Sequence, residues 1–269
     1  MIAIVDAGGT SCTWVVLDGK DKQRFLVSGF NPLYDKKPKI PVLNDPKGLK
    51  HLYFYGAGIF SKALADEIKS GLQKTFPKTE LHVFSDLLGA SRSLLQDREG
   101  WVGILGTGSA LVNYNGKEVN VPKPSLGYLL GDEGSGFDLG KRILKHYLRR
   151  ELPNAVQSRM SSKLEGMNPI SVIQHHSRPA SYIASFASVI IEQKDDSFCQ
   201  SLINKAFRSY FEAFSPENLK ELSFIGSIAF HLSTELKEIA AGFDIDIQSI
   251  SKSPVEGLVE YHENVDKSE

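Results

Sequence analysis

The chain has 269 residues, enough for two domains, and its 41% hydrophobic and 23% charged content is ordinary for a globular protein. Its net charge is −1 and its basic residues are scattered, so we expect neither nucleic acid nor a membrane surface as a partner. We also expect no signal peptide and no membrane helix. Two isolated cysteines, Cys12 and Cys199, argue against a disulfide framework, structural zinc or an iron–sulfur cluster within one chain, and fit a cytoplasmic location.

The first predicted element is a buried strand that ends in a carboxylate and a glycine turn. An apolar run reaches Asp6, and Gly8, Gly9 and Thr10 follow before a second strand at residues 13–17. Paired glycines permit positive φ and close approach to the backbone, so their amides are candidates for an anion site. Asp6 is a candidate for holding a hydrated cation such as magnesium. An ordinary hairpin turn is the alternative.

The same pattern returns about a hundred residues later. A strand from Val102 leads to Gly106, Thr107, Gly108 and Ser109, and a second strand follows. Glycines interleaved with hydroxyls at a hairpin tip again suit a phosphate. The repetition predicts that the chain contains a duplication.

A third strand is predicted at residues 23–28, with Asn31 in the loop beyond it. Asn31 is a candidate ligand-binding residue at a strand end, although an Asn before Pro is also ordinary turn chemistry. The next segments alternate strand and helix up to residue 95, which predicts parallel strands. Ligands bind beyond the carboxyl ends of such strands, where Asp86 falls. The alternative is that Ser85-Asp86 caps a helix.

Residues 126–136 are the most unusual stretch of the sequence. They contain four glycines together with Asp132 and Glu133, and an amphipathic helix is predicted at 137–149. Ordering so many glycines costs conformational entropy, which favours a binding loop. Carboxylates suit hydroxyl donors, although they could merely complement the positive end of the helix.

The remaining chain is predicted to be helical to residue 214 and then α/β. Gly226 and Ser227 occupy a turn between a strand and a helix at 229–240. Glycine there would let a flat ring lie against the backbone, so both residues are candidates for contacts to adenosine, with tight packing as the alternative. An edge strand at 245–247 and a closing helix at 254–262 complete the predicted elements.

The ordered set of motifs resembles the BadF/BadG/BcrA/BcrD ATPase family, particularly its N-acetylglucosamine kinase-like members within the actin, sugar kinase and Hsp70 superfamily. The similarity covers nearly the entire chain. It implies an α/β protein of two ribonuclease H-like lobes with ATP in the interlobe cleft. We place the lobes at 1–99 and 100–253 and expect a C-terminal helix at 254–269 to pack back on the first lobe.

The resemblance also implies roles for individual residues in an ATP-dependent amino-sugar kinase that uses magnesium. Asp86 would accept the proton of the acceptor hydroxyl. At an ordinary carboxylate pKa it would mainly orient that hydroxyl. The other implied roles are magnesium through water for Asp6; phosphates for Gly8, Gly9, Thr10, Gly106, Thr107, Gly108 and Ser109; adenosine for Gly226 and Ser227; and sugar hydroxyls for Asn31, Asp132 and Glu133.

Two departures from the family pattern leave the acceptor open. Ala110 stands where relatives commonly have Asn, and Ser11-Cys12-Thr13 stands where many have a lysine. N-acetylglucosamine, glucosamine and N-acetylmuramic acid are all candidate acceptors, and a homodimer is a candidate assembly. Two rival functions are an ATPase activator of a 2-hydroxyacyl-CoA dehydratase, which would need cluster-binding cysteines, and a non-catalytic nucleotide-binding regulator.

Overall fold

The computed structural model describes residues 1–19 and 21–266, so Lys20 and the last three residues of the predicted helix 254–269 lie outside the described residues. The described residues form ten strands and twelve α-helices. The strands are β1 (Ile2–Ala7), β2 (Ser11–Asp18), β3 (Asp21–Ser28), β4 (His51–Gly56), β5 (Glu80–Ser85), β6 (Glu99–Leu105), β7 (Ser109–Asn115), β8 (Val119–Asn120), β9 (Glu221–Ile225) and β10 (Asp246–Ser251). None of the described helices combines the length and apolarity that a bilayer crossing requires.

The helices lie mostly between the second hairpin and β9. They are α1 (Lys62–Gln73), α2 (Asp86–Leu95), α3 (Gly127–Leu130), α4 (Gly136–Leu148), α5 (Asn154–Leu164), α6 (Pro169–His175), α7 (Pro179–Ser185), α8 (Ala187–Glu192), α9 (Ser197–Phe214), α10 (Ser227–His231), α11 (Ser233–Ala241) and α12 (Val255–Asp266). His175 and the adjacent His176 are exposed, as predicted for surface residues.

The chain divides into two compact units. The first unit contains Met1–Glu99, the short segment Tyr114–Val119 and the chain from Ser253 onward. The second contains Gly100–Asn113 and Asn120–Lys252. The segment Tyr114–Val119 of the first unit lies, in sequence, between the two segments of the second unit.

Each unit is built on one five-stranded sheet. The first sheet has the order β3-β2-β1-β4-β5, in which β1, β4 and β5 are parallel and β2 is antiparallel to β1 and β3. The second has the order β10-β9-β6-β7-β8, with β9 parallel to both of its neighbours. If β6 is aligned with β1, the second sheet read from β8 to β10 has the same strand order as the first sheet read from β3 to β5. This agreement confirms the duplication at the level of topology.

The first sheet is covered on both faces because its apolar residues occupy both sets of alternating positions. Ala3 and Val5 belong to one buried cluster, whereas Ile4 packs with Val255 and Leu258 of α12 in another. The C-terminal helix therefore lies on the first unit. At the carboxyl ends of β1, β4 and β5 the sheet has one common edge, and the predicted residues Asp6 and Asp86 lie at or just beyond it.

Several elements differ from the prediction. The helix predicted at 181–192 is divided into α7 and α8 at Phe186, and that predicted at 229–240 into α10 and α11 at Leu232. Leu232 is fully buried and leaves the helical region of φ and ψ, with φ −114° and ψ 33°. The strand expected at 119–124 is only two residues long, because Pro122 and Pro124 lack the N–H that a sheet ladder needs.

Gly257 provides a test of how closely α12 packs. A Cβ at Gly257 would overlap the backbone carbonyl of Ser93 in α2. We expect Gly257→Ala to lower the free energy of unfolding by about 1–3 kcal/mol, as other overpacking substitutions do. The matched control is Gly71→Ala in α1, where a Cβ meets nothing within 4 Å. It should be neutral or stabilising by up to about 1 kcal/mol, since alanine has the higher helix propensity. Urea denaturation of both variants makes the comparison, and equal effects would contradict close packing.

Candidate functional site

The glycine loop of the first unit joins β1 to β2 and is held from one side. The N–H of Gly29, directly after β3, donates to the Thr10 carbonyl at 3.1 Å, and the N–H of Phe30 donates to the Gly8 carbonyl at 3.0 Å. A Cβ on Gly29 would lie 2.5–2.6 Å from backbone atoms of Gly8, Gly9 and Thr10. A Cβ on Gly9, by contrast, would meet nothing within 4 Å. The loop is therefore fixed on its Gly29 side and roomy beside Gly9.

Gly8 and Gly9 do not use the positive φ that glycine permits. Neither is among the described residues with positive φ, and the same holds for Gly106 and Gly108. Their small size matters instead, because it lets another group come close to the loop backbone.

Asp6 lies near the end of β1 and has an unusual environment for a carboxylate. Burial and, to a smaller extent, the nearby charge of Asp86 raise the pKa of Asp6 to about 7, while Arg24 opposes the shift. Asp6 is opposite Tyr55 in the parallel ladder, and Tyr55 is opposite Phe84. These three residues form a row across β1, β4 and β5. Two carboxylates that disfavour each other's ionisation are suited to share a divalent cation.

Asp86 is the first residue of α2 and follows β5 directly. Ser85, not Asp86, caps the helix, because the Ser85 hydroxyl accepts a hydrogen bond from the N–H of Leu88 at 3.3 Å. Burial raises the pKa of Asp86 to about 6, partly offset by a hydrogen bond from the backbone of Leu87. The ordinary pKa expected from the sequence is therefore wrong, because desolvation at this end of the sheet outweighs the hydrogen bonds to the carboxylate.

Asn31 forms a tight turn just beyond Gly29. Its Oδ1 accepts a hydrogen bond from the N–H of Leu33 at 2.9 Å, and its own N–H donates to Asp35 Oδ2 at 2.8 Å. Asn31 therefore forms the turn that was the alternative interpretation of this residue. A Cβ on Gly58, in the loop after β4, would lie 3.4 Å from Asn31 Oδ1, so the turn is next to a strand end of the same sheet.

In the second unit, the loop at Gly106–Ser109 is bound to the start of α4. The N–H of Gly136 donates to the Gly106 carbonyl at 2.8 Å, and the N–H of Phe137 donates to the Thr107 carbonyl at 3.0 Å. These bonds occupy carbonyls of the loop. The Ser109 hydroxyl is buried without a hydrogen-bond partner among the residues that the structure describes, which is the state expected of a group that meets a ligand or water.

Asp132 folds onto this loop. It is buried and has a φ of 60°, and its Oδ1 accepts hydrogen bonds from the N–H of Ser109 at 3.2 Å and the hydroxyl of Ser125 at 3.4 Å. Burial raises its pKa, and these hydrogen bonds oppose the shift. A Cβ on Gly108 would lie 2.9 Å from Asp132 Oδ1, so this carboxylate needs a glycine there. Glu133, the next residue, is partly exposed.

The rest of the glycine-rich stretch caps α4. The Ser135 hydroxyl accepts from the N–H of Asp138 at 3.2 Å, and Asp138 accepts from the N–H of Gly134 at 3.2 Å and from Arg142 at 2.9 Å. The positive end of α4 is therefore complemented by Asp138. The alternative role of Asp132 as a helix-dipole partner is not needed to explain this helix.

Gly226 follows β9 and packs on the same loop. Its φ is 126°, and an added Cβ would overlap the Leu105 carbonyl and lie 3.0 Å from Gly106 N. Gly226 therefore packs tightly, which was the alternative interpretation of this residue. Ser227, the first residue of α10, is exposed.

The structure brings Gly226, Ser227, the Gly106–Ser109 loop and Asp132 together in one unit, and Asp6, Asp86, Asn31 and the Gly8–Thr10 loop together in the other.

Of the residues named above as departures, Ala110, Cys12 and Thr13 are buried, whereas Ser11 is exposed. Ala110 lies in β7, and its carbonyl accepts the hydroxyl of Tyr210 at 2.9 Å. Cys12 and Cys199 are both free and buried, and burial raises the pKa of their thiols to about 12 and about 11. Neither thiol is suited to act as a thiolate ligand.

The sequence analysis did not identify Gly29 and Ser125 as determinants of the loops. A third glycine near a paired-glycine loop, here Gly29, is a signal for close backbone packing. No local pattern marks Ser125, because its role depends on the fold of residues far from it in the Gly106–Ser109 loop.

Comparison with known proteins finds similar structures. A protein of Porphyromonas gingivalis provisionally identified as an N-acetylglucosamine kinase is 30% identical, with a TM-score of 0.87 over 98% of this chain and 99% of that one. A protein of Chromobacterium violaceum with the same provisional description is 16% identical, with a TM-score of 0.71 over 97% and 98%. A ROK family glucokinase of Streptomyces griseus, solved with glucose and AMPPNP, is 12% identical, with a TM-score of 0.56 over 96% of each chain.

No protein-family model and no curated protein sequence matches the chain. The structural similarities confirm the predicted fold class, an α/β protein with two five-stranded sheets and the fold of the actin-like ATPases and sugar kinases. The narrower assignment to the BadF/BadG/BcrA/BcrD group stays a prediction.

The raised pKa of Asp6 makes stability depend on pH in a direction that can be tested. In the unfolded chain an aspartate ionises near pH 3.8, but in the fold Asp6 ionises near pH 7. Its ionisation therefore lowers the free energy of unfolding progressively as pH rises from about 4 to about 7. We expect Asp6→Asn, measured with EDTA present, to be more stable than wild type by about 1–3 kcal/mol at pH 8 and by less at pH 5.

The matched control for this measurement is Asp66→Asn, on the exposed face of α1. It should change the free energy of unfolding by no more than about 0.5 kcal/mol at either pH. An Asp6→Asn variant that is less stable than wild type at pH 8 would show that the Asp6 carboxylate is well accommodated in its charged form.

Proposed function

The chain belongs to the same family as the Porphyromonas gingivalis protein provisionally identified as an N-acetylglucosamine kinase, and on that premise we propose that it is an ATP-dependent sugar kinase. Its acceptor is a hydroxyl of an amino sugar, N-acetylglucosamine or a related N-acetylated sugar. The observation that carries the proposal is the pair Asp6 and Asp86, two carboxylates with raised pKa values at one end of a parallel sheet.

Asp86 has the properties of a general base for phosphoryl transfer. A carboxylate with a pKa of about 6 accepts a proton more readily than one near 4, yet it is largely ionised at pH 7. Because Ser85 supplies the helix cap, Asp86 is not required to fill that role. We assign Asp86 to orient the acceptor hydroxyl and to take its proton as the phosphoryl group is transferred.

Asp6 fits a hydrated magnesium ion. The charge of Asp86 raises the pKa of Asp6, and a divalent cation beside both carboxylates would relieve that repulsion. Magnesium supplies neutralisation of the charge on the phosphate oxygens of ATP. The part of Asp6 in this proposal is to hold the hydration shell of the ion, consistent with the preference of Mg²⁺ for keeping several waters.

The two glycine loops are proposed to bind the phosphates. In the first unit the contributors are Gly8, Gly9 and Thr10, with the open space beside Gly9 in support. In the second unit they are Gly106 to Ser109, with the unpartnered Ser109 hydroxyl in support. Backbone amides suit phosphate because they are fixed dipoles that need little reorganisation during the reaction. Gly226 and the exposed Ser227 are proposed to contact adenosine.

Asn31, Asp132 and Glu133 are proposed to bind the hydroxyls of the sugar. Carboxylates accept hydrogen bonds from hydroxyls, and a buried carboxylate such as Asp132 favours that arrangement because a sugar hydroxyl adds a donor to it. Ala110 has no hydrogen-bonding side chain at the position where relatives commonly have Asn. The proposed contacts to the sugar therefore do not include that one.

The rival activator function has little support from the cysteines. An iron–sulfur cluster needs accessible thiolates, whereas Cys12 and Cys199 are fully buried and have raised pKa values. A cytoplasmic location, proposed because both cysteines are free, is compatible with either function.

Substitution of Asp86 tests its role. We expect Asp86→Asn to lower kcat by roughly 10²-fold or more, because the amide cannot accept the proton. Binding of ATP should remain within about threefold of wild type, since the phosphate loops are unchanged. Asp66→Asn is the control and should keep wild-type kcat. A kcat near that of wild type in Asp86→Asn would remove Asp86 from this role.

A panel of acceptors tests the substrate class. Purified protein with ATP and magnesium is assayed for ADP release and, by mass spectrometry, for a phosphorylated sugar, with N-acetylglucosamine, glucosamine, N-acetylmuramic acid and glucose as acceptors. We expect N-acetylglucosamine or another N-acetylated sugar to give the highest kcat/KM. ATP hydrolysis without a sugar phosphate would favour the activator, and nucleotide binding without turnover would favour the regulator.

A further inference from the structure

A cluster of two histidines and a glutamate lies on the first sheet, away from the site described above. It consists of His51 at the start of β4 together with Glu80 and His82 of β5. Glu80 is six residues before Asp86 in an extended segment, which corresponds to about 20 Å along the strand. The cluster is therefore at the opposite end of β5 from the proposed base.

The register of the sheet brings these three side chains to one face. His51 is opposite Glu80, and Tyr53 is opposite His82. Residues opposite each other in a parallel ladder, and residues two apart in one strand, share a face. Because β5 is an edge strand with no neighbour beyond it, the cluster is at the border of the sheet.

The distances within the cluster suit a divalent transition metal ion. His51 Nδ1 is 3.4 Å from Glu80 Oε2, and His82 Nε2 is 3.3 Å from Glu80 Oε1. One ligand atom from each of the three residues can be chosen such that all lie within 4.8 Å of one another. Ligand atoms 2.0–2.1 Å from a tetrahedral zinc ion are roughly 3.3 Å apart, so only small side-chain movements are needed.

The two imidazole rings are held in place without a ligand. The rings of His51 and His82 are nearly parallel, with an angle of 23° between their planes, and both stack on Tyr53. His51 Nδ1 is buried and has no hydrogen-bond partner among the residues that the structure describes. The side chains of His51 and His82 are 34% and 30% exposed, so the cluster borders solvent.

We propose that His51, Glu80 and His82 form a binding site for a divalent transition metal ion of the zinc type. Two imidazole nitrogens and one carboxylate oxygen are a ligand set that binds Zn²⁺ and leaves one position for water. A bound ion links the edge strand β5 to β4. Sequence analysis looked for Cys and His clusters along the chain and missed this site, because His51 and His82 come together only through strand pairing.

A titration with zinc chloride as the probe tests the site. Full-length protein freed of metal is titrated calorimetrically, and ¹H–¹⁵N spectra of the imidazoles identify which histidines respond. We expect one ion to bind per chain and the signals of His51 and His82 to shift together. His51→Ala, His82→Ala and the isosteric Glu80→Gln should each weaken binding by about tenfold or more.

His146→Ala is the matched control. His146 Nδ1 lies 2.6 Å from Glu151 Oε2, which is a comparable contact between a histidine and a carboxylate, but no third ligand completes a cluster with it among the described residues. This variant should keep wild-type affinity for zinc. Circular dichroism of each metal-free variant verifies the fold, and Glu80→Gln replaces an exposed side chain that the fold does not require. The proposal would be overturned if zinc did not bind one-to-one. It would also be overturned if Glu80→Gln, His51→Ala and His82→Ala each bound zinc with the affinity of the wild type.

Discussion

The structure depends on backbone packing that is too close for a side chain at two glycines, Gly29 and Gly226. Gly29 abuts the backbone of the Gly8–Thr10 loop, and Gly226 abuts Leu105 and Gly106. Each contact fixes one glycine loop in the conformation it has without a ligand. Amides that are already fixed can stabilise a phosphate without the reorganisation that a mobile loop would need. The close packing at these two glycines therefore also fixes the amides on which the proposed phosphate binding depends.

The electrostatics of the first unit oppose stability and favour function. Asp6 and Asp86 are placed where burial and, for Asp6, a neighbouring charge disfavour ionisation. The free-energy cost of burying these carboxylates is offset by the rest of the fold. Here the two apolar clusters that cover both faces of the sheet supply that stabilisation. A cation or an acceptor hydroxyl would offset the same penalty. We regard the two carboxylates as the strongest sign of a functional site.

Much of the fold was predictable from local patterns. Strand–glycine–strand segments, the duplication and the strand–helix alternation were all visible because alternation and glycine turns act over a few residues. The prediction failed where tertiary contacts decide the outcome. Gly8 and Gly9 permit positive φ by residue type, but neither adopts it in the folded loop. The breaks at Phe186 and Leu232 were invisible, since both residues fit a continuous apolar helix face.

The sequence by itself determined the order of the elements, the residues at their ends and the kind of chemistry those residues can perform, because these depend on nearest neighbours along the chain. Only the tertiary structure decided that Asp132 lies on the Gly108 backbone, that Asp86 has a pKa well above 4, and that His51 is opposite Glu80. Desolvation, close approach and strand register are set by residues distant in sequence, and no local pattern contains them.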